Sequence, residues 1–153
     1  MKIDHVYDHQ HSVAIWQARE LYEWLLGVFE APGVLVREGE TIGVREYVRD
    51  EFQHQGWATN VKVDSQLGLS VFALRDDLAF HMQTGNISRA AYDLLKLQYL
   101  YQTRRISAAA LALPSRECAL SLGSNIANAE RITSELDVFD RIITVPILVV
   151  AFQ

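Results

Sequence analysis

The stretch "DDLAFHMQTGN", residues 76–86, gathers two acids, an imidazole and two carboxamides into eleven positions. His81 is the group best suited to chemistry near neutral pH, because a free imidazole changes charge around pH 6.5. With Asp64, or with Asp77 on its own strand face, it could hold a transition metal or act as a general base. The plainer alternative is a satisfied imidazole that fills space. Asp76 and Asp77 could be ligands, but aspartate favours tight turns, and a turn is the simpler account. Upstream, "HVYDHQH" sets His5 and His9 four apart, with Asp4, Asp8 and His11 nearby. On a helix that spacing could hold zinc; otherwise it is a polar segment. Arg89, Lys96, Arg104 and Arg105 fall within one segment and could contact phosphates or serve as surface charge. Glu46, Asp50 and Glu51 alternate with Arg45 and Arg49, which reads as a solvated helix face with local ion pairs. Cys118 has no convincing His–Asp partners nearby in sequence and reads as structural.

The bulk properties narrow the setting. The chain has 153 residues, half of them hydrophobic and 22% charged, as expected of one folded domain spanning residues 1–153. A single cysteine excludes an intramolecular disulfide and any cysteine-based zinc spacing, and it fits the reducing cytoplasm, the expected location. "MKIDHVYDHQH" lacks the apolar core of a secretory signal. The longest apolar stretches, such as residues 145–152, are far too short to span a bilayer, so no membrane partner is expected. The net charge of −5 argues against general nucleic-acid binding, whose affinity comes largely from neutralising phosphates. It leaves room for a local basic face.

Periodicity supplies the elements that must position these residues. Residues 12–29 show Ile15, Leu21, Trp24, Leu25 and Val28 near helical spacing, with Ser12 as N-cap and Pro32-Gly33 as the stop. "VLVRE" reads as a short strand. Residues 41–55 form a second helical segment with Val44, Tyr47, Val48, Glu51 and Phe52 on one side. Three extended segments follow, at 58–63, 69–74 and 77–83, the last two close enough to form a hairpin. Asn86 then caps a long helix in which Ala91, Leu94, Leu95, Leu97 and Tyr101 are the apolar positions. Arg104 and Arg105 sit at its end, where cations favour the helix dipole. "SAAALALP" is a buried strand, residues 124–139 form an amphipathic helix with Ile132, Leu136 and Phe139 inward, and "VPILVVAF" is a strand apolar on both faces. The expected architecture is α/β: a central mixed sheet with a β-hairpin, flanked by helices.

Several stretches resemble type II restriction endonucleases of the BglII/BamHI type. "QTGNISRAAYDLLKL" looks like the end of the catalytic strand and the following helix in BamHI-like members, where a T-G-N-I-S run also occurs. The opening "MKID", "REYVRDEFQHQGWATN" and "VFDRIITVPILVVAF" are more similar to BglII-like members. Together they cover most of the chain in the right order. The resemblance implies the PD-(D/E)xK nuclease fold, double-stranded DNA as partner, and action as a homodimer. In that fold an acid on one strand of a hairpin meets a Glu-x-Glu or Glu-x-Gln pair on the next. Mg²⁺ prefers such hard oxygen ligands, and the bound ion activates water for phosphodiester hydrolysis.

Mapped onto this chain, the catalytic pair falls on His81 and Gln83. Gln83 matches the BglII-like second position, whereas His81 stands where glutamate is implied. The first acid maps to Phe72 with a short hairpin and to Asp64 with a long one, and the compact "LRDDL" turn favours Phe72. A further position maps near Asn60. The implied site is thus His81, Gln83, Asp64 and Asn60, with Asp64 and Gln83 as metal ligands and Arg89, Lys96, Arg104 and Arg105 toward DNA. If active, it would use Mg²⁺ or Mn²⁺; a degenerate site needs no cofactor. The leading expectation is a degenerate nuclease-fold protein that retains DNA binding. Its rivals are a live endonuclease with a rebuilt site, and a protein-binding module on the same fold. No groove-reaching donors for base readout can be identified.

Overall fold

In "AAALALP" and "ILVVAF" nearly every position is apolar, so neither strand can have a solvent face. The computed structural model, which describes residues 1–64 and 66–153, buries every residue of both, β5 (Ala108–Pro114) and β6 (Ile147–Phe152). They are parallel to each other, and β4 (Leu78–Met82) is parallel to β5. β3 (Leu69–Arg75) and β2 (Ala58–Asp64) extend the sheet antiparallel on one side, and β1 (Ile3–His9) pairs antiparallel with β6 on the other. The six-stranded order is β1-β6-β5-β4-β3-β2.

Side chains of β5 and β6 alternate between two cores. Ala108, Ala110 and Ala112 join Leu148, Val150 and Phe152 beneath α1 (Ser12–Ala18), α2 (Tyr22–Phe29) and α3 (Thr41–His54). Leu111, Leu113, Val149 and Ala151 face α4 (Ala90–Gln102) and α6 (Ala129–Val138). The first core is aromatic: Phe80 lies 4.2 Å from Phe52, 5.4 Å from Phe72 and 6.2 Å from Phe29 between ring centroids. Among the described residues no helix is long and apolar enough to cross a membrane.

Local outcomes differ from the periodicity reading at several points. Residues 3–9 form an edge strand, because the outer side of β6 offers hydrogen-bonding partners to a polar segment. The 12–29 segment breaks at Glu20, whose φ of 57° turns the chain so that Trp16 and Leu25 both reach the sheet. Asp8, not Ser12, holds the start of α1: its Oδ1 accepts from Ser12 Oγ at 2.7 Å and Val13 N at 3.0 Å. "VLVRE" is turn and coil. Asn86 caps a 3₁₀ turn, Ile87–Arg89, that leads into α4. A short helix, α5 (Arg116–Leu122), was not foreseen; Ser115 caps it, with Oγ accepting from Cys118 N at 3.3 Å. α6 starts only at Ala129, capped by Asn128. Phe139 and Leu95, expected inward, are 46% and 54% exposed.

Since the Phe80 ring is fully buried, Phe80→Ala should cost about 3–5 kcal/mol of stability. Urea unfolding followed by circular dichroism checks this.

Candidate functional site

The β3–β4 hairpin is shorter than its two strands. It pairs only from Arg75/Leu78 to Ala73/Phe80, across a turn in which Asp76 takes φ 50°. Beyond Ala73 and Phe80 the strands part and a cleft opens between them. His81 fills the fork. Its Nδ1 accepts a hydrogen bond from the Phe72 peptide N–H at 3.2 Å, and its Nε2 lies 3.0 Å from Asp93 Oδ1 on α4. A peptide N–H can only donate and a carboxylate can only accept, so the partners define the tautomer: proton on Nε2, lone pair on Nδ1. Both ring nitrogens are committed.

Asp93 is the centre of the cluster. Lys96 Nζ lies 2.7 Å from Asp93 Oδ1 and 2.9 Å from the Ser70 carbonyl oxygen. Gln83 donates through Nε2 to Asp93 Oδ2, while its Oε1 accepts from Gly85 N at 2.7 Å. Arg45 Nη1 donates to the Met82 carbonyl at 2.9 Å. The guanidinium carbons of Arg45 and Arg49 lie 5.3 and 5.9 Å from the Phe72 ring centroid, within cation–π range. Arg45, His81, Gln83, Arg89, Asp93 and Lys96 line a cavity of about 570 Å³. A second of about 260 Å³ beside it reaches Asn60, Arg49 and Phe72.

The electrostatics follow from burial. Burial pushes the His81 pKa below its ordinary value, against the upward pull of Asp93; Lys96 and Arg45 add to the lowering. The imidazole is therefore neutral near pH 7. Burial alone would raise the Asp93 pKa, but its bonds to His81 and Lys96 outweigh that, and the carboxyl is held below its usual range.

The structure thus brings His81, Gln83, Lys96 and Arg89 around one cavity, with Asn60 at the adjoining one. Asp64 is not brought there. It pairs with Leu69, three residues and about 10 Å along β3 from Phe72, and its Oδ1 closes the β2–β3 turn by accepting from Gln66 N and Leu67 N. Phe72, the alternative first-acid position, carries no donor. Gln83 is held in place at both ends of its carboxamide, by Asp93 and by Gly85 N. Arg105 is tied to β2 through the Val63 and Lys62 carbonyls, and Arg104 follows the end of α4. Neither lines these cavities.

Other chemistry-bearing residues resolve into structure. Asp77 forms a two-pronged ion pair with Arg19, which pulls its pKa down to about 2. The His5/His9 pair lies on a strand rather than a helix: His9 Nε2 meets the Ile143 carbonyl, while His5 sits within 4.8 Å of Asp4 and Glu130 ligand atoms. Cys118 is buried, and burial raises its thiol pKa.

Asp93 and Arg45 were missed. Asp93 had a signal: it shares the inward face of its helix with Ala90, Leu94 and Leu97, and a lone acid on such a face needs partners. Arg45 gave none, because a solvated face and a cleft-facing arginine look alike in sequence.

A hard divalent ion needs several free oxygen ligands. Here the one carboxylate accepts from three side chains, and the residues present do not fit such an ion. The family model for "Restriction endonuclease BglII/BglIII" matches residues 5–152. Among solved structures, restriction endonuclease BglII complexed with a DNA 16-mer matches with TM-score 0.83 at 16% identity, over all of this chain and 78% of that one. Free BglII matches with TM-score 0.74 at 18% identity, over all of this chain and 80% of that one. Among curated proteins nothing matches.

The His81 pKa is lowered on folding, so the unfolded chain takes up the proton first as pH falls. This contribution to stability is complete above about pH 6.5 and is lost progressively below it. Protonated Nδ1 also faces the Phe72 N–H, donor against donor. His81→Gln should therefore flatten the loss of stability between pH 7 and 5, measured by urea midpoints at each pH.

Proposed function

Because the chain belongs to the BglII/BglIII restriction endonuclease family, we propose that it grips the phosphate backbone of duplex DNA through this cleft without hydrolysing it. The observation that carries the proposal is the mutual saturation of the site. The one imidazole lone pair of His81 is taken by the Phe72 N–H, the Gln83 carbonyl oxygen already accepts from Gly85 N, and Asp93 accepts from three partners. The position that would supply a first acid is the Phe72 ring. Among the described residues no carboxylate besides Asp93 lines the cleft to hold an ion that would supply a metal-bound nucleophile.

The charge balance supports an anionic partner. Arg45, Arg49, Arg89 and Lys96 line the two adjoining cavities with Asp93 as the one acid, within a chain of net charge −5. Local positive charge in a cleft concentrates phosphate even on an acidic protein. BglII has been seen in complex with DNA, and this chain's fold matches that structure over its whole length.

A second copy is the proposed partner for the apolar surface. Leu95 on α4, and Phe139 and Ile142 beyond α6, are exposed around a shared cleft of about 210 Å³. Grouped exposed apolar side chains of this kind mark association surfaces. The proposed assembly is a homodimer through this face.

Two measurements check these proposals. Purified protein should bind duplex DNA with a steep salt dependence and leave plasmid uncut in both Mg²⁺ and Mn²⁺. Arg49→Gln and Arg89→Gln should each reduce the slope of log affinity against log salt by about 1. Metal-dependent linearisation that disappears in His81→Ala would instead establish a rebuilt active site, and salt-independent or absent DNA binding would favour a protein-binding module. In sedimentation velocity the protein should run as a dimer, and Leu95→Glu with Ile142→Glu should run as a folded monomer.

A further inference from the structure

The Asp93 Oδ1 and Ser70 carbonyl oxygens converge on a single point, and Lys96 Nζ occupies it, 2.7 Å from one and 2.9 Å from the other. A carboxylate oxygen and a main-chain carbonyl are the ligands a hard divalent cation takes. Lys96 and Asp93 have side chains only 11% and 6% exposed, so water screens this pairing weakly. Two cations cannot share one buried carboxylate oxygen at bonding distance without strong mutual repulsion.

We infer that the Lys96 ammonium is the resident cation of this site, occupying the point where a divalent ion would be held, and that it takes a phosphodiester oxygen directly. The second half rests on the DNA-binding proposal; the first stands on the geometry alone. An ammonium has three N–H donors, and among the described residues two are used, on Asp93 and Ser70. The third is left for the cavity that Lys96 shares with Arg45, Arg89 and Ser88. A single negative phosphodiester there meets three cations against one carboxylate. Lys96 also lines the neighbouring cavities that open toward Gly68 and Tyr92 and toward Tyr99.

The inference predicts a gain of metal binding when a charge is removed. Lys96→Ala leaves both oxygens in place and frees room for an ion with its waters. Mn²⁺ binding to the full chain, read from the paramagnetic resonance of free Mn²⁺, should be at least about tenfold tighter in Lys96→Ala than in the wild type. The gain should vanish in Lys96→Ala with Asp93→Asn. Lys96→Gln, which keeps most of the side-chain volume, serves if the alanine variant fails to fold. Folded variants that bind Mn²⁺ no better than the wild type, or Asp93-dependent Mn²⁺ binding by the wild type itself, would overturn the assignment. In a second arm, wild-type affinity for a short DNA duplex should be no weaker in EDTA than in Mg²⁺. A requirement for Mg²⁺ overturns the direct phosphate contact. Complete absence of DNA binding overturns that contact and the proposed function while leaving the resident cation standing.

Discussion

One carboxylate organises the functional half of this molecule. Asp93 is buried on α4, and a buried charge is tolerable only when it is paired and hydrogen-bonded. Its two oxygens receive Lys96, His81 and Gln83, each from a different position along β4 or α4. Removing any one partner leaves part of the charge unanswered. The cluster therefore ties the end of the hairpin to the helix that follows it. The bonds that keep Asp93 charged also fix His81 in a single tautomer, while burial, against the pull of Asp93, keeps the ring neutral.

The cluster forms because β3 and β4 stop pairing early. The Phe72 N–H, left without a strand partner toward β4, finds the His81 ring nitrogen. The Phe72 ring joins Phe52 and Phe80 in the aromatic core and lies against two arginines. A residue that could have offered a carboxylate to the cleft is thus part of the hydrophobic packing, and its neighbours are matched to an aromatic ring. His81 and Phe72 suit each other as a pair: the imidazole needs no metal to be satisfied, and the ring needs no water.

Much of the fold was legible because its strongest signals were long and apolar. The continuous runs in "AAALALP" and "ILVVAF" announced a covered sheet, and the stretches resembling restriction endonucleases lay in the order the fold requires. The family model and the BglII structures bear out that resemblance. β1 was not legible, because its polar residues are acceptable only on an edge whose partner is 140 residues away. The break at Glu20 depends on where Trp16 must reach, which no local pattern encodes. The positions His81, Gln83 and Phe72 could be singled out from sequence, but Asp93 could not be joined to His81. They lie twelve positions apart in sequence, and their contact exists only because α4 folds back over the parted strands. Asp64 illustrates the converse error: near in sequence and of the right chemistry, it belongs to a turn.

His81 spends its lone pair on the protein and has none for an ion. Long-range ¹H–¹⁵N spectra of the histidine rings, recorded with and without Mg²⁺, test it most directly. His81 should show an unprotonated, hydrogen-bonded Nδ1 and a protonated Nε2, both unmoved by Mg²⁺. A His81 spectrum with Nε2 unprotonated, or ring nitrogens that shift as Mg²⁺ is added, would contradict it.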